Sequence, residues 1–132
     1  MATFAEVSEG VRRTLAAYVQ ALDDGRTDDV VATFCADGAI DMGDLGTFAG
    51  HDDLRAAYQR WVPRAPQRHL VLNTLITEWD DDEAEAISDV VFLLKRDGAW
   101  KVQLVGRYHD VLRHEHGTWR FQSRRAVFDR DD

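Results

Sequence analysis

The side chains best suited to chemistry in this chain are one histidine, two aspartates and one tyrosine. His69 carries an imidazole whose pKa of about 6.5 lets it take a proton and return it near neutral pH. Asp89 lies between Ile87, Val90 and Val91, and a carboxylate buried in so apolar a strand is costly unless paired. Tyr18 falls on the inward stripe of the first helix. There its hydroxyl either bonds a neighbour in the core or donates to an oxygen on which negative charge develops. Asp23 follows roughly 140° around the helix from Tyr18 and reads as a solvated acid in the run Asp23-Asp24. These groups could move a proton beside a carbonyl or hydroxyl oxygen. Such chemistry needs no cofactor, and no glycine-rich phosphate cradle suggests one.

A metal is not expected either. His109, His114 and His116 offer alternate ligand positions, but they sit at or near an exposed turn with no acidic or thiolate partner in a forced position. Cys35 is the sole cysteine, which excludes an internal disulfide and a thiolate zinc cluster and fits a reducing compartment. It follows Phe34 on an apolar helix face and reads as core.

Several elements must position these groups. Thr3 and Glu6 have the spacing of a capping box, and Val7, Val11, Leu15, Tyr18 and Leu22 recur at helical intervals until Gly25. A second helix is predicted from Thr27 to Asp37-Gly38, then a brief apolar stretch from Ala39 to Met42 and a glycine-punctuated loop. A third presents Leu54, Ala57, Tyr58 and Trp61 until Pro63 forbids its continuation. From Arg68 onward four long strands are separated by turn chemistry at Asp80-Asp81-Asp82, Asp97-Gly98 and His116-Gly117. Helices first and a meander second make an α+β fold, with three helices lying in a strongly curved antiparallel sheet.

Strand register follows from the turns, because hairpin partners sum to a constant. Centring the first turn on Asp81 sets Asn73 opposite Asp89, and the third turn sets Asp110 opposite Phe121. One face then collects His69, Val71, Asn73, Asp89, Val91, Leu93, Val102, Leu104, Gly106, Tyr108, Asp110, Trp119, Phe121 and Arg125, with an Asp110–Arg125 ion pair closing one end. Apolar walls with a few convergent polar groups are what a small-molecule pocket needs. The opposite face carries Leu70, Leu72, Val90, Phe92 and Val105, too apolar to face water alone, so a homo-oligomer is expected, most simply a two-fold dimer.

Composition bounds the partners. The 132 residues include 24 acidic and 16 basic side chains, a formal charge of −8. Phosphate binding needs a clustered positive field, so nucleic acid is disfavoured, as are anionic membrane surfaces. No apolar run approaches the roughly 20 residues that span a bilayer, and the N-terminus lacks a basic, then apolar, signal pattern. One cytoplasmic domain spanning residues 1–132 is the expectation.

The stretches YVQALDDG, TFCADGAIDM, GTFAG, RHLVLN, GRYHD and GTWRFQSR resemble the SnoaL-like branch of the nuclear transport factor two-like superfamily. The resemblance implies three helices and a curved sheet around a cone-shaped cavity. The superfamily hosts polyketide cyclases, ketosteroid isomerases, dehydratases and non-catalytic subunits, so it does not name a reaction. Similarity to scytalone-dehydratase-like and bile-acid-dehydratase-like enzymes implies catalytic roles for Tyr18, Asp23, His69 and Asp89, with His69 paired to Asp89. Gly43 falls where ketosteroid isomerases place their basic aspartate, and Met42 stands where the bile-acid enzymes carry a second tyrosine. The expected ligand is a small, mainly apolar cyclic molecule with a carbonyl or hydroxyl, lined by Asn73, Tyr108, Trp119, Phe121, Trp61 and Met42. The expected activity is that of a cofactor-independent lyase or isomerase. The alternative is a non-catalytic binding or assembly domain of the same fold.

Overall fold

A computed structural model of the protein describes residues 1–129. The chain opens with α1 (Phe4–Asp23), started by the expected capping box between Thr3 and Glu6. Its buried stripe of Val7, Val11, Leu15 and Tyr18 keeps the helical period. Two short helices follow, α2 (Thr27–Ala32) and α3 (His51–Arg60), the latter burying Leu54, Ala57 and Tyr58.

Six strands form one sheet: β1 (Phe34–Asp41), β2 (Thr47–Ala49), β3 (Gln67–Trp79), β4 (Glu83–Arg96), β5 (Ala99–Glu115) and β6 (Thr118–Phe128). Their order is β2-β1-β6-β5-β4-β3. The sheet is mixed rather than wholly antiparallel, because β1 runs parallel to β6. This also corrects the second helix, which stops at Ala32 instead of continuing to Asp37. Pairing with β6 overrides the local pattern there: Phe121 N–H donates to Thr33 O at 2.8 Å, and Phe34 lies beside Phe121. Cys35 is therefore a buried strand residue.

The turns are where the sequence places them. Asp97-Gly98 and His116-Gly117 have positive φ at both central residues, the geometry that matches the twist of two-residue hairpins. Asp80 closes the remaining tip by accepting the N–H groups of Asp82 and Glu83.

Bulges change which side chains face the helices. The β3–β4 register shifts between Leu72 and Leu75, where Asn73 has φ 56°. Val71 consequently faces Val90, and Asp89 is partnered by Leu72. A one-residue slip moves a side chain to the other face, so Asp89, Val91 and Leu93 lie outside while Val90 and Phe92 lie inside. A second bulge between Val111 and Leu112 sets Asp110 opposite Arg124. Arg124, not Arg125, is therefore the inward arginine.

Trp119 packs at the far end of the interior against α1. Glycine costs a helix interior about 1 kcal/mol relative to alanine, yet Gly10 is kept because a Cβ there would land inside the Trp119 indole. Overpacking against a fixed ring costs about 1–3 kcal/mol, which offsets or exceeds the propensity gain. Gly10→Ala should therefore lower the urea midpoint, with a loss of up to about 2 kcal/mol; a raised midpoint would contradict this packing.

Candidate active site

Asp23 ends α1 with its side chain 6% exposed. Oδ2 accepts the backbone N–H of His69 at 2.7 Å, and Oδ1 accepts Gln67 Nε2 at 3.0 Å. Oδ1 also lies 2.6 Å from His69 Nδ1. A carboxylate can only accept, so Nδ1 carries a proton, and in the neutral form of the ring Nε2 is a bare lone pair. Nε2 has no hydrogen-bond partner among the described residues. The ring stacks on Phe92 with centroids 4.4 Å apart and planes 19° apart. His69 is held on one nitrogen and one face and left open at the other nitrogen, which is how a general base is oriented.

Deeper inside, Tyr18 and Tyr58 hydroxyls share a 2.5 Å hydrogen bond. Burial raises the pKa of both, and at Tyr18 the charge of Arg124 partly offsets that rise. Both remain phenols. Below them lies a fully enclosed ion pair: Arg124 Nε and Nη2 donate to Asp110 Oδ1 and Oδ2 at 2.8 and 3.1 Å. Arg124 Nη1 is enclosed with no acceptor. The guanidinium carbon lies 3.6 Å from the Tyr108 ring centroid, 4.3 Å from Phe121 and 4.5 Å from Tyr18. Three aromatic faces thus stabilise the cation where oxygen is lacking. Burial opposes Arg124's charge, but Asp110 more than offsets it and its pKa is raised.

The expected site residues divide. His69, Asp23, Tyr18 and Tyr108 all lie on the enclosed side of the sheet. Asp23, read from sequence as a solvated acid, is instead the partner of His69. Asp89 faces outward, where it is bonded by Asn73 Nδ2 at 2.7 Å and Arg107 Nε at 3.0 Å. These bonds, Asn73 first, lower its pKa. The expected inward placement of Asp89 and Asn73, and the His69–Asp89 pair, are therefore corrected by the bulge at Asn73. The Asp110–Arg125 pair is likewise replaced by Asp110–Arg124. Trp119 and Phe121 are sealed in the core, Trp119 stacked on His114 at 5.0 Å. Trp61 packs edge-on to Tyr58 and Phe48, and Met42 touches both halves of the apolar interior. Cys35 has its thiol pushed up to about 12 by burial and by the Glu115 carboxylate.

Gln67, Tyr58, Phe92 and Arg124 were not singled out as site residues. Gln67 gave a faint signal, as an amide two residues before the histidine. Arg124 gave a better one, since one of two adjacent arginines in an alternating strand must point inward.

The profile of the SnoaL-like domain matches residues 4–125. The chain belongs to the SnoaL-like family. A protein of unknown function from Mycobacterium tuberculosis, Rv3472, is 27% identical with a TM-score of 0.85, over 92% of this chain and 70% of that one. ActVI-ORFA from Streptomyces coelicolor is 21% identical with a TM-score of 0.84, over 93% and 97%. A candidate scytalone dehydratase from Novosphingobium aromaticivorans is 19% identical with a TM-score of 0.82, over 93% and 84%. A search of curated proteins finds no significant match. No helix among the described residues is long and apolar enough to cross a membrane.

The hydrogen bonds of Asp23 fix a tautomer that can be measured. Long-range 1H–15N NMR should show His69 with a pyrrole-like Nδ1 and a pyridine-like Nε2 in the neutral form. Asp23→Asn should mix the tautomers, whereas Asp89→Asn should leave them unchanged. The reverse pattern would return Asp89 to the site.

Proposed function

We propose that this SnoaL-like protein is a cofactor-independent lyase or isomerase that moves a proton on a small, mainly apolar cyclic substrate bearing a carbonyl or hydroxyl. The observation that carries this reading is the Asp23–His69 dyad, with Nδ1 engaged and Nε2 open. In it, His69 Nε2 takes a proton from a carbon beside the substrate oxygen and delivers it to the departing hydroxyl or to another carbon. Asp23 holds the tautomer and steadies the imidazolium that forms. Gln67 and Phe92 fix the carboxylate and the ring plane, so little reorganisation is needed when the proton moves. The scytalone dehydratase assignment of one structural relative is consistent with water elimination, a reaction that needs only such groups.

A binding-only role has one observation in its favour: Tyr18 and Tyr58 bond each other, so the tyrosine expected to meet substrate oxygen is already engaged. Deuterium exchange separates the two readings. Cyclic hydroxyketones incubated with the protein in D2O should gain deuterium beside the carbonyl or lose water, read by mass spectrometry. His69→Asn should slow this at least ~100-fold. Ligand binding without exchange, or exchange indifferent to His69, would overturn the catalytic reading.

The expected homo-oligomer is retained as a proposal on the outer face. Leu70, Leu72, Leu75, Val102 and Val105 are each between 41% and 62% exposed, a concentration of apolar surface that a second copy would cover. Sedimentation should show a dimer, and Leu72→Glu should yield a monomer; a wild-type monomer at high concentration would contradict it.

A further inference from the structure

The net charge of −8 is not evenly spread over the chain. Between Asp53 and Glu78 the sequence has four arginines and no acidic residue, and between Asp89 and Asp110 only Asp97 stands among Lys95, Arg96, Lys101 and Arg107. The register gathers most of these cations at one end of the sheet. Arg68 partners Leu93, Leu94 partners Lys101, and Lys95 N–H donates to Pro66 O at 3.0 Å, two residues from Arg64. Arg64, Arg68, Lys95, Arg96 and Lys101 are all exposed, and none has a carboxylate partner among the described residues. Asp23 and Asp24, at the nearby end of α1, are taken by His69 and Arg26. Among the described residues, Asp97 at the turn and Asp129, whose N–H donates to Val105 O, are left to oppose the five cations. The other end of the same hairpin, from Glu78 to Glu85, carries six carboxylates and no cation, about 40 Å away along β4.

The cations surround uncovered apolar surface. Every residue from Ala99 to Val105 is exposed, so the start of β5 stands clear of the helices on both faces. Trp100 is 46% exposed, with the Arg68 guanidinium 5.9 Å from its ring centroid, and Leu104 is 39% exposed. Leu104 partners Phe92, and Phe92 partners His69. One row across three strands therefore runs from this surface to the imidazole. The outer face assigned to a second copy uses Val102 and leaves Trp100 and Leu104 open.

Residue types decide what this end meets. Lysine is depleted from protein interfaces, whereas lysine and arginine around an exposed tryptophan suit an anionic bilayer, where cations meet headgroups and an indole sits at the boundary with water. Net charge alone disfavours such a surface. At about 0.1 M salt, however, exposed charges beyond roughly 10 Å are screened, so the bilayer meets the basic end and not the acidic one.

We propose that this end of the sheet docks on an anionic lipid bilayer, with Arg64, Arg68, Lys95, Arg96 and Lys101 against the headgroups and Trp100 at the interface. The bilayer then supplies an apolar cyclic ligand along the Leu104–Phe92 row to His69; that supply rests on the proton-transfer reading, whereas the docking does not. The protein should co-sediment at low salt with vesicles of phosphatidylcholine and phosphatidylglycerol, far less with phosphatidylcholine alone, and should be released as salt rises. Each cation near an anionic surface is worth about fivefold in binding. Lys95→Glu/Arg96→Glu/Lys101→Glu should therefore weaken binding at least ~100-fold. Trp79, 42% exposed beside the acidic turn, is an internal control. Brominated phosphatidylcholine in the mixed vesicles should quench tryptophan fluorescence, and Trp100→Phe should remove that quenching while Trp79→Phe keeps it. No co-sedimentation, quenching that follows Trp79, or binding indifferent to phosphatidylglycerol would overturn the proposal. Retention on heparin without vesicle binding would overturn it too, and would give the basic end to a dissolved polyanion. Vesicle binding by a protein that exchanges no deuterium into hydroxyketones would sink the catalytic reading and leave the docking intact; exchange without vesicle binding would do the reverse.

Discussion

The carboxylate of Asp23 joins the end of the first helix to the start of the sheet's edge strand, and the candidate site exists only because of that junction. A negative charge at a helix C-terminus opposes the helix dipole by about 0.3–1 kcal/mol, and the last turn of α1 has no basic residue to relieve it. Three donors from Gln67 and His69 more than offset this, since hydrogen bonds to a charged acceptor contribute about 1.5–3 kcal/mol each. The same bonds that close the helix against the sheet also fix the imidazole. Stability and chemistry therefore share one side chain.

The second organising feature is a charge in the core. An enclosed arginine is tolerated only with a well-made partner, and Arg124 has Asp110 on its edge and three aromatic rings on its faces. Both charges reach the interior because a bulge in the β5–β6 hairpin brings Arg124 opposite Asp110. The bulge, the ion pair and the tyrosine cluster are thus one arrangement, packed behind the surface that the dyad faces.

Much of this was legible in the sequence. The capping box of α1, the period of its buried stripe, the two-residue turns and the long strands follow from local chemistry, and the structure has them. His69 and Tyr108 were placed on the inner face because their strands keep parity from the inward residues around them. Asp89 and Arg125 were misplaced for one shared reason. A constant hairpin sum assumes an unbroken ladder, whereas bulges at Asn73 and beyond Val111 each change parity, and the alternation of apolar and polar residues does not mark where a strand takes the extra residue. Asp23 was misread because helical angle alone puts it away from Tyr18. What captures it is the strand entering from Gln67 to His69, a contact more than forty residues away in sequence.

The central claim is that His69, oriented by Asp23, presents Nε2 to a ligand inside the cone. A high-resolution crystal structure with a bound cyclic hydroxyketone tests it most directly. The account requires Nδ1 to remain on Asp23 while a carbon or hydroxyl of the ligand lies within reach of Nε2. A ligand seated elsewhere, or an imidazole turned away with Asp23 bonded to other donors, would contradict it.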